Sequence, residues 1–201
     1  PWHYTRHGRE VRDLLAAGGL GKIRLISMFM SNFTLPLYEG RPFAELMGGS
    51  DGVDTAAKPL VEPDRRSYSD PAVAGGGHIY CQASHVFAYL GFLTGLEPLE
   101  ISARFDNAGT PVDAADVAHL RLEGGALASV GTLGTRPNIQ RFHEIRVVGT
   151  EGVVTMELWQ GTCTIQKAGS DPELLAPLAE DEIYPKFAPA DNLVEAALGL
   201  A

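Results

Sequence analysis

Gly75-Gly76-Gly77-His78-Ile79-Tyr80-Cys81-Gln82-Ala83-Ser84-His85-Val86-Phe87-Ala88-Tyr89-Leu90-Gly91-Phe92-Leu93-Thr94-Gly95 is the most informative stretch of this chain. Three glycines open it and one closes it. Between them Ile79, Val86, Leu90 and Leu93 recur at spacings of seven, four and three. That is the stripe of a helix lying on a core. The spacing predicts a helix over His78 to Thr94, stopped by Gly95. A second face carries polar groups. At about 100° per residue, His78, Cys81, His85 and Tyr89 fall within roughly 80° of one another, away from the stripe.

Outward from this helix the pattern changes sharply. Upstream, Val11, Leu14 and Leu15 predict a helix over His7 to Ala17, ended by Gly18-Gly19. A mostly buried strand, Lys22 to Phe33, follows. Residues Thr34 to Val73 carry five prolines, and a loop that long is functional or partly helical. Phe43 to Met47 reads as one short helix within it. Downstream, Leu99, Ile101, Ala103 and Phe105 alternate with polar residues, as a half-buried strand does. Val117 to Glu123, Ala126 to Leu133, Glu144 to Val148, Val153 to Leu158 and Thr162 to Lys167 read as further strands. Glu123-Gly124-Gly125 and Thr150-Glu151-Gly152 are hairpin turns. After Gly169 the chain reads as loop until a short helix, Asn192 to Leu198. Helix, strand, long loop, helix and a run of strands is an α+β order with an antiparallel sheet.

The 201 residues suit one domain, 1–201, with a substantial core. A formal charge of −9 argues against nucleic acid or anionic membrane as a partner, since both need clustered Lys and Arg. No apolar run is long enough to span a bilayer. Cys81 and Cys163 alone make no disulfide framework, which favours a reducing, cytoplasmic setting. No signal peptide is visible. The chain opens on Pro1 rather than Met, as a fragment or a processed product would.

Several chemistries can be weighed from the residues. No G-x-G-x-x-G lies between a strand and a helix, and there is no P-loop and no G-x-S-x-G elbow. The triplet Gly75-Gly76-Gly77 ahead of a helix offers backbone N–H groups to an anion, or meets a demand of close packing. His78, Cys81 and His85 have metal-ligand spacing but no obvious fourth ligand. His85 also suits general acid–base work, since an imidazole titrates near neutrality. Ser84 and His85 are adjacent on the helix and point different ways, so they do not form a catalytic pair.

The stretch from Gly75 to His85, running on to Leu93-Thr94-Gly95, resembles the signature helix of the Gfo/Idh/MocA oxidoreductases. That family includes glucose–fructose oxidoreductase and inositol dehydrogenase, and reads Gly-Gly-Gly, three residues, Asp, three residues, His. Leu15-Ala16-Ala17-Gly18-Gly19-Leu20-Gly21-Lys22-Ile23 resembles the first helix and strand of the family's second domain. Leu122-Glu123-Gly124-Gly125-Ala126 and Val148-Gly149-Thr150-Glu151-Gly152-Val153-Val154 resemble two of its hairpins. The resemblance runs from about residue 5 to residue 167 and matches the second domain only. It implies a large, mostly antiparallel sheet with helices packed on one face. It also implies that an N-terminal Rossmann domain, absent from this chain, binds NAD or NADP and brings the catalytic lysine. Ala57-Lys58-Pro59 looks like that lysine's motif but sits in the wrong place.

The resemblance implies hydride exchange between NAD(P) and a carbinol carbon of a sugar, cyclitol or related small polyol. His85 becomes the proton-relay residue. Gly76 and Gly77, with Tyr80, Cys81, Gln82 and Asn32, become candidates to line the substrate pocket. Two departures stand out. The family's Asp falls on Cys81, a weak donor and acceptor, and a second Asp falls on Ala88. These motivate an alternative, a non-catalytic binding or oligomerisation module of the same fold. A third reading is a small metal-binding domain on His78, Cys81 and His85. The sheet face away from the helices carries Glu100, Arg104, Arg121 and Trp159, residues that suit an interface. A homodimer across that face is expected, with Trp159 and Arg121 near the contact.

Overall fold

The computed structural model describes residues 1–43 and 63–200. The helix expected at Phe43 to Met47, beyond Phe43 itself, and Ala57-Lys58-Pro59 lie outside the described residues. Helix α1 spans Arg6–Ala16, capped by Thr5, whose hydroxyl accepts from the Gly8 amide. Strand β1 spans Ile23–Asn32. The described residues of the proline-rich segment hold three single-turn helices, α2 (Leu35–Tyr38), α3 (Arg66–Ser69) and α4 (Pro71–Ala74). The signature helix then runs in two pieces, a wide π turn over Ile79–Ala83 and helix α5 over Ser84–Thr94. Gly95 ends it in the left-handed region, as the sequence suggests.

Strands β2 (Pro98–Asp106), β3 (Ala115–Leu122) and β4 (Leu127–Gly134) form a meander, and β5 (Phe142–Gly149), β6 (Gly152–Glu157) and β7 (Thr162–Lys167) form another. A two-residue β8, Glu173–Leu174, adds an edge. The strand order is β2-β3-β4-β1-β5-β6-β7-β8. β1 sits between the meanders, parallel to β4 and antiparallel to β5. Every other pairing is antiparallel, so the expected α+β architecture holds. Two short helices follow, α6 (Glu180–Ile183) and α7 (Ala188–Ala197), where the sequence reads as loop up to residue 192.

One sheet face is packed. Met28, Val130, Ile145 and Met156 come into register across four strands and meet Val11 of α1 and Val86, Leu90 and Leu93 of α5. Three expectations need correction. Ile101 and Phe105 pair on this same face but stay 63% and 56% exposed, because β2 is the sheet's edge strand and the helical layer leaves it largely uncovered. Tyr89 does not share an outer face with His85. It is fully buried, completing the stripe of Val86, Leu90 and Leu93, while His85, one turn before it on α5, is exposed; the π turn breaks the 100° count only between His78 and these two. Trp159 lies past the end of β6, 5.2 Å from both Trp2 and Tyr184 and under the Arg141 guanidinium. It packs against the core on the helix side and is not part of the open face.

The open face is more apolar than the sequence suggests. Leu25 stands opposite Leu127, and Phe29 lies over Gly131 with Phe142 beside it at 5.1 Å. Phe29 is 43% and Leu127 53% exposed. Arg121 is on this face, ion-paired with Glu100 on the neighbouring strand.

Candidate functional site

The start of the signature helix is held by one residue, Asp113, from the loop before β3. Its Oδ1 accepts from the Gly77 amide and its Oδ2 from the Ile79 amide, each at 2.7 Å. Its main-chain carbonyl accepts from the His78 amide at 2.9 Å. Three successive N–H groups that a helix start leaves unpaired are thus satisfied from within the chain. The glycines follow from this closeness. A Cβ on Gly77 would land on the Asp113 carbonyl oxygen and on Val112, and one on Gly76 would meet the Tyr80 ring. Gly75 has φ of +76° and ends α4. The close-packing reading of the triplet therefore holds here, and the amides offered to an external anion are already occupied.

Beside the glycines opens a cleft of about 340 Å³ lined by Tyr38, Ser67, Tyr68, Ala74, Gly76, Gly77, Tyr80 and Cys81. Four of the residues expected from the sequence, Gly76, Gly77, Tyr80 and Cys81, come together there. Tyr80 is exposed at its rim. Cys81 packs against Leu37, Tyr38, Val112 and Ala114. Gln82 and Asn32 join from behind: the Asn32 amide donates to Gln82 Oε1 at 2.7 Å, and Gln82 Nε2 reaches Cys81 Sγ at 3.5 Å. Under the cleft His78 is fully buried. Its Nδ1 is hydrogen-bonded to Tyr38 Oη at 3.0 Å and Thr34 Oγ1 at 3.2 Å. Burial pushes its pKa down to about 4, so the ring is neutral near pH 7.

His85 stands apart from this patch. It is exposed on α5 and close enough to His3 for the two rings to influence each other's charge. Partial burial lowers its pKa. Among the described residues no carboxylate pairs with it. His78, Cys81 and His85 diverge, into the core, the cleft and the exterior. Among the described residues no three His, Cys, Asp or Glu side chains are placed to hold a metal ion. Nor do the described residues fit the pyrophosphate of a dinucleotide, since the Gly77, His78 and Ile79 amides at the start of the signature helix already bind Asp113.

Sequence reasoning missed Asp113, Tyr38, Ser67 and Tyr68. Tyr38 and Tyr68 lie in the proline-rich segment, where no periodicity marks them. Asp113 caps a helix that starts 36 residues before it, a separation with no local signature.

The fold is similar to those of several solved structures. An aldose-aldose oxidoreductase from Caulobacter crescentus, in complex with glycerol, has a TM-score of 0.68 at 20% identity, over 98% of this chain and 52% of its own. An inositol dehydrogenase homologue from Azotobacter vinelandii, bound to NAD+, has a TM-score of 0.64 at 16% identity, over 87% of this chain and 41% of its own. A putative oxidoreductase from Thermotoga maritima has a TM-score of 0.63 at 19% identity, over 98% and 57%. The chain thus spans about half the length of these relatives, and at such identities the likeness shows the fold alone. No curated protein sequence matches it. A family model described as GFO/IDH/MocA C-terminal domain matches residues 9–155, most of the chain, and together with the sheet order and the Gly75–His85 helix this makes the chain a member of the GFO/IDH/MocA C-terminal domain family.

Proposed function

We propose that this chain, as a single domain over 1–201, is the substrate-binding and oligomerisation part of an oxidoreductase. The enzyme would use NAD or NADP and act on a CH–OH group of a sugar, cyclitol or related small polyol in the cytoplasm. The observation that carries the reading is the cleft at the head of the signature helix. It gathers Gly76, Gly77, Tyr80 and Cys81 beside buried Tyr38, with Asn32 and Gln82 behind. Hydroxyl, amide and thiol groups around a partly apolar cleft suit a small, neutral, polyhydroxylated ligand. Among the described residues no charged group lines it, which disfavours a phosphorylated one. The nicotinamide cofactor would supply the hydride chemistry and be held by a Rossmann domain outside this chain. His85 holds or passes the proton of the reacting hydroxyl. Partial burial lowers its pKa and so favours the neutral imidazole, the form that accepts a proton.

One observation favours the second reading, a non-catalytic module. Cys81, at the family's Asp position, packs into the Tyr38 cluster, and among the described residues no carboxylate supports His85. Turnover separates the two. The full-length protein, given NAD+ or NADP+ and a panel of sugars and cyclitols, should produce reduced nicotinamide with at least one of them. Silence across the panel, with the cofactor bound, supports the module.

A further inference from the structure

Asp116, the second residue of β3, pairs with Phe105 on one side and Thr132 on the other, and it is only 4% exposed. Its Oδ2 accepts from the Thr132 hydroxyl at 3.1 Å. Its Oδ1 has no donor among the described residues. The carboxyl is in hydrogen-bonding contact with that of Asp113. Two ionised carboxylates have only acceptors and repel, so such a contact requires a proton on one of them. Both Asp113 oxygens already accept amide N–H groups, whereas Asp116 Oδ1 accepts none. The proton therefore belongs to Asp116.

We propose that Asp116, in its protonated form, donates to Asp113 and so acts as the positioning residue that fixes Gly77, His78 and Ile79, the wall of the cleft, against the sheet. The inference deepens the substrate-site reading and takes its meaning from it, although the geometry stands without it. Burial, and then the Asp113 charge, push the Asp116 pKa up to about 7, so the donor is lost as the medium turns alkaline. The groups facing Asp116 are few. Phe105 and Thr132 flank it on the sheet, and Ile79, Ala83 and Phe87 cover it from the helix. Asp113 is its titratable neighbour, and through Asp113 come the buried His78 and Tyr38.

The sign follows from linkage. Asp116 holds its proton in the folded chain to about pH 7 but in the unfolded chain only to its ordinary value of 3.8. Its contribution to stability is complete below the lower value and is lost as pH rises between the two. His78 works the opposite way, losing stability as pH falls from its ordinary 6.5 towards about 4. Only a comparison with a variant isolates Asp116. Asp116→Asn keeps a donor to Asp113 and an acceptor for Thr132 but does not titrate.

The test measures urea unfolding and hydrogen–deuterium exchange of the Gly75–Cys81 peptide for both proteins across this pH range, with no substrate or cofactor present. Relative to wild type, the folded-to-unfolded ratio of Asp116→Asn should climb by up to about tenfold per pH unit between about pH 4 and about pH 7, then level off. Above that range the wild-type peptide should exchange at least about tenfold faster than the variant's, because local opening follows the lost contact. Parallel stability profiles would overturn the protonated pair. Equal exchange at alkaline pH, with stabilities that diverge as stated, would overturn the positioning role. Neither result touches the oxidoreductase reading, which turnover decides.

Discussion

At the scale of single residues, the glycine triplet shows how one motif serves different demands. Gly75 needs a left-handed backbone, and a Cβ there would meet open space. Gly77 needs no special φ but has no room, since the backbone of Asp113 fills the place of a side chain. A backbone obstacle cannot rotate away, as a side chain can. Gly77→Ala should therefore cost about 3 kcal/mol or more, and Gly75→Ala about 1 kcal/mol. Urea unfolding of the two variants ranks them, and equal losses would mean that the helix start is not pinned by Asp113. The sequence made the triplet visible but left open whether it served an anion or packing. The deciding partner, Asp113, is remote in sequence, and only folding reveals it. His85 was legible as a candidate proton carrier. Its lack of a carboxylate neighbour was half legible too, in Cys81 and Ala88.

At the scale of elements, the strands were read almost to the residue, because alternation reports directly on a sheet with one packed face. Thr162–Lys167 agrees at both ends. The failures have local causes. Alternation in β2 marks a face but not whether a helix covers it, so Ile101 and Phe105 were placed in a core that does not extend to the edge. A π turn has no compositional signature, so the angular count from His78 on to His85 and Tyr89 fails across it. The open sheet face is where the element view leads to a partner. Leu25, Phe29, Val117 and Leu127 form a row of exposed apolar side chains on its central strands, flanked by the Glu100–Arg121 pair. An apolar centre with a charged rim is the pattern of a protein interface, and one chain can meet a copy of itself across it. Phe29→Glu should turn a dimer into a monomer in light scattering at tens of micromolar (~10⁻⁵ M, a range in which a moderately tight dimer is formed), with the fold kept, because Phe29 is half exposed already. A Phe29→Glu dimer as stable as the wild type would put the interface elsewhere.

At the scale of the whole molecule, the two meanders flank β1, and the cleft lies where β1 ends. Asn32 closes β1, α2 follows with Tyr38, and the signature helix starts alongside them. Fold class and family were legible because they rest on element order and on four glycine-marked pieces in register. The site was only partly legible, because a cleft is assembled from segments far apart in sequence: residues 32–38, 67–82 and 113–116. We propose that this cleft and His85, which the signature helix carries one turn beyond Cys81, serve proton transfer in a nicotinamide-dependent oxidation. The most direct measurement is turnover of the full-length protein, wild type against His85→Asn, on a polyol that the wild type oxidises. His85 is exposed, so the variant should fold normally, and kcat should fall by on the order of 10²–10⁴. An unchanged kcat in a folded His85→Asn protein would contradict the account.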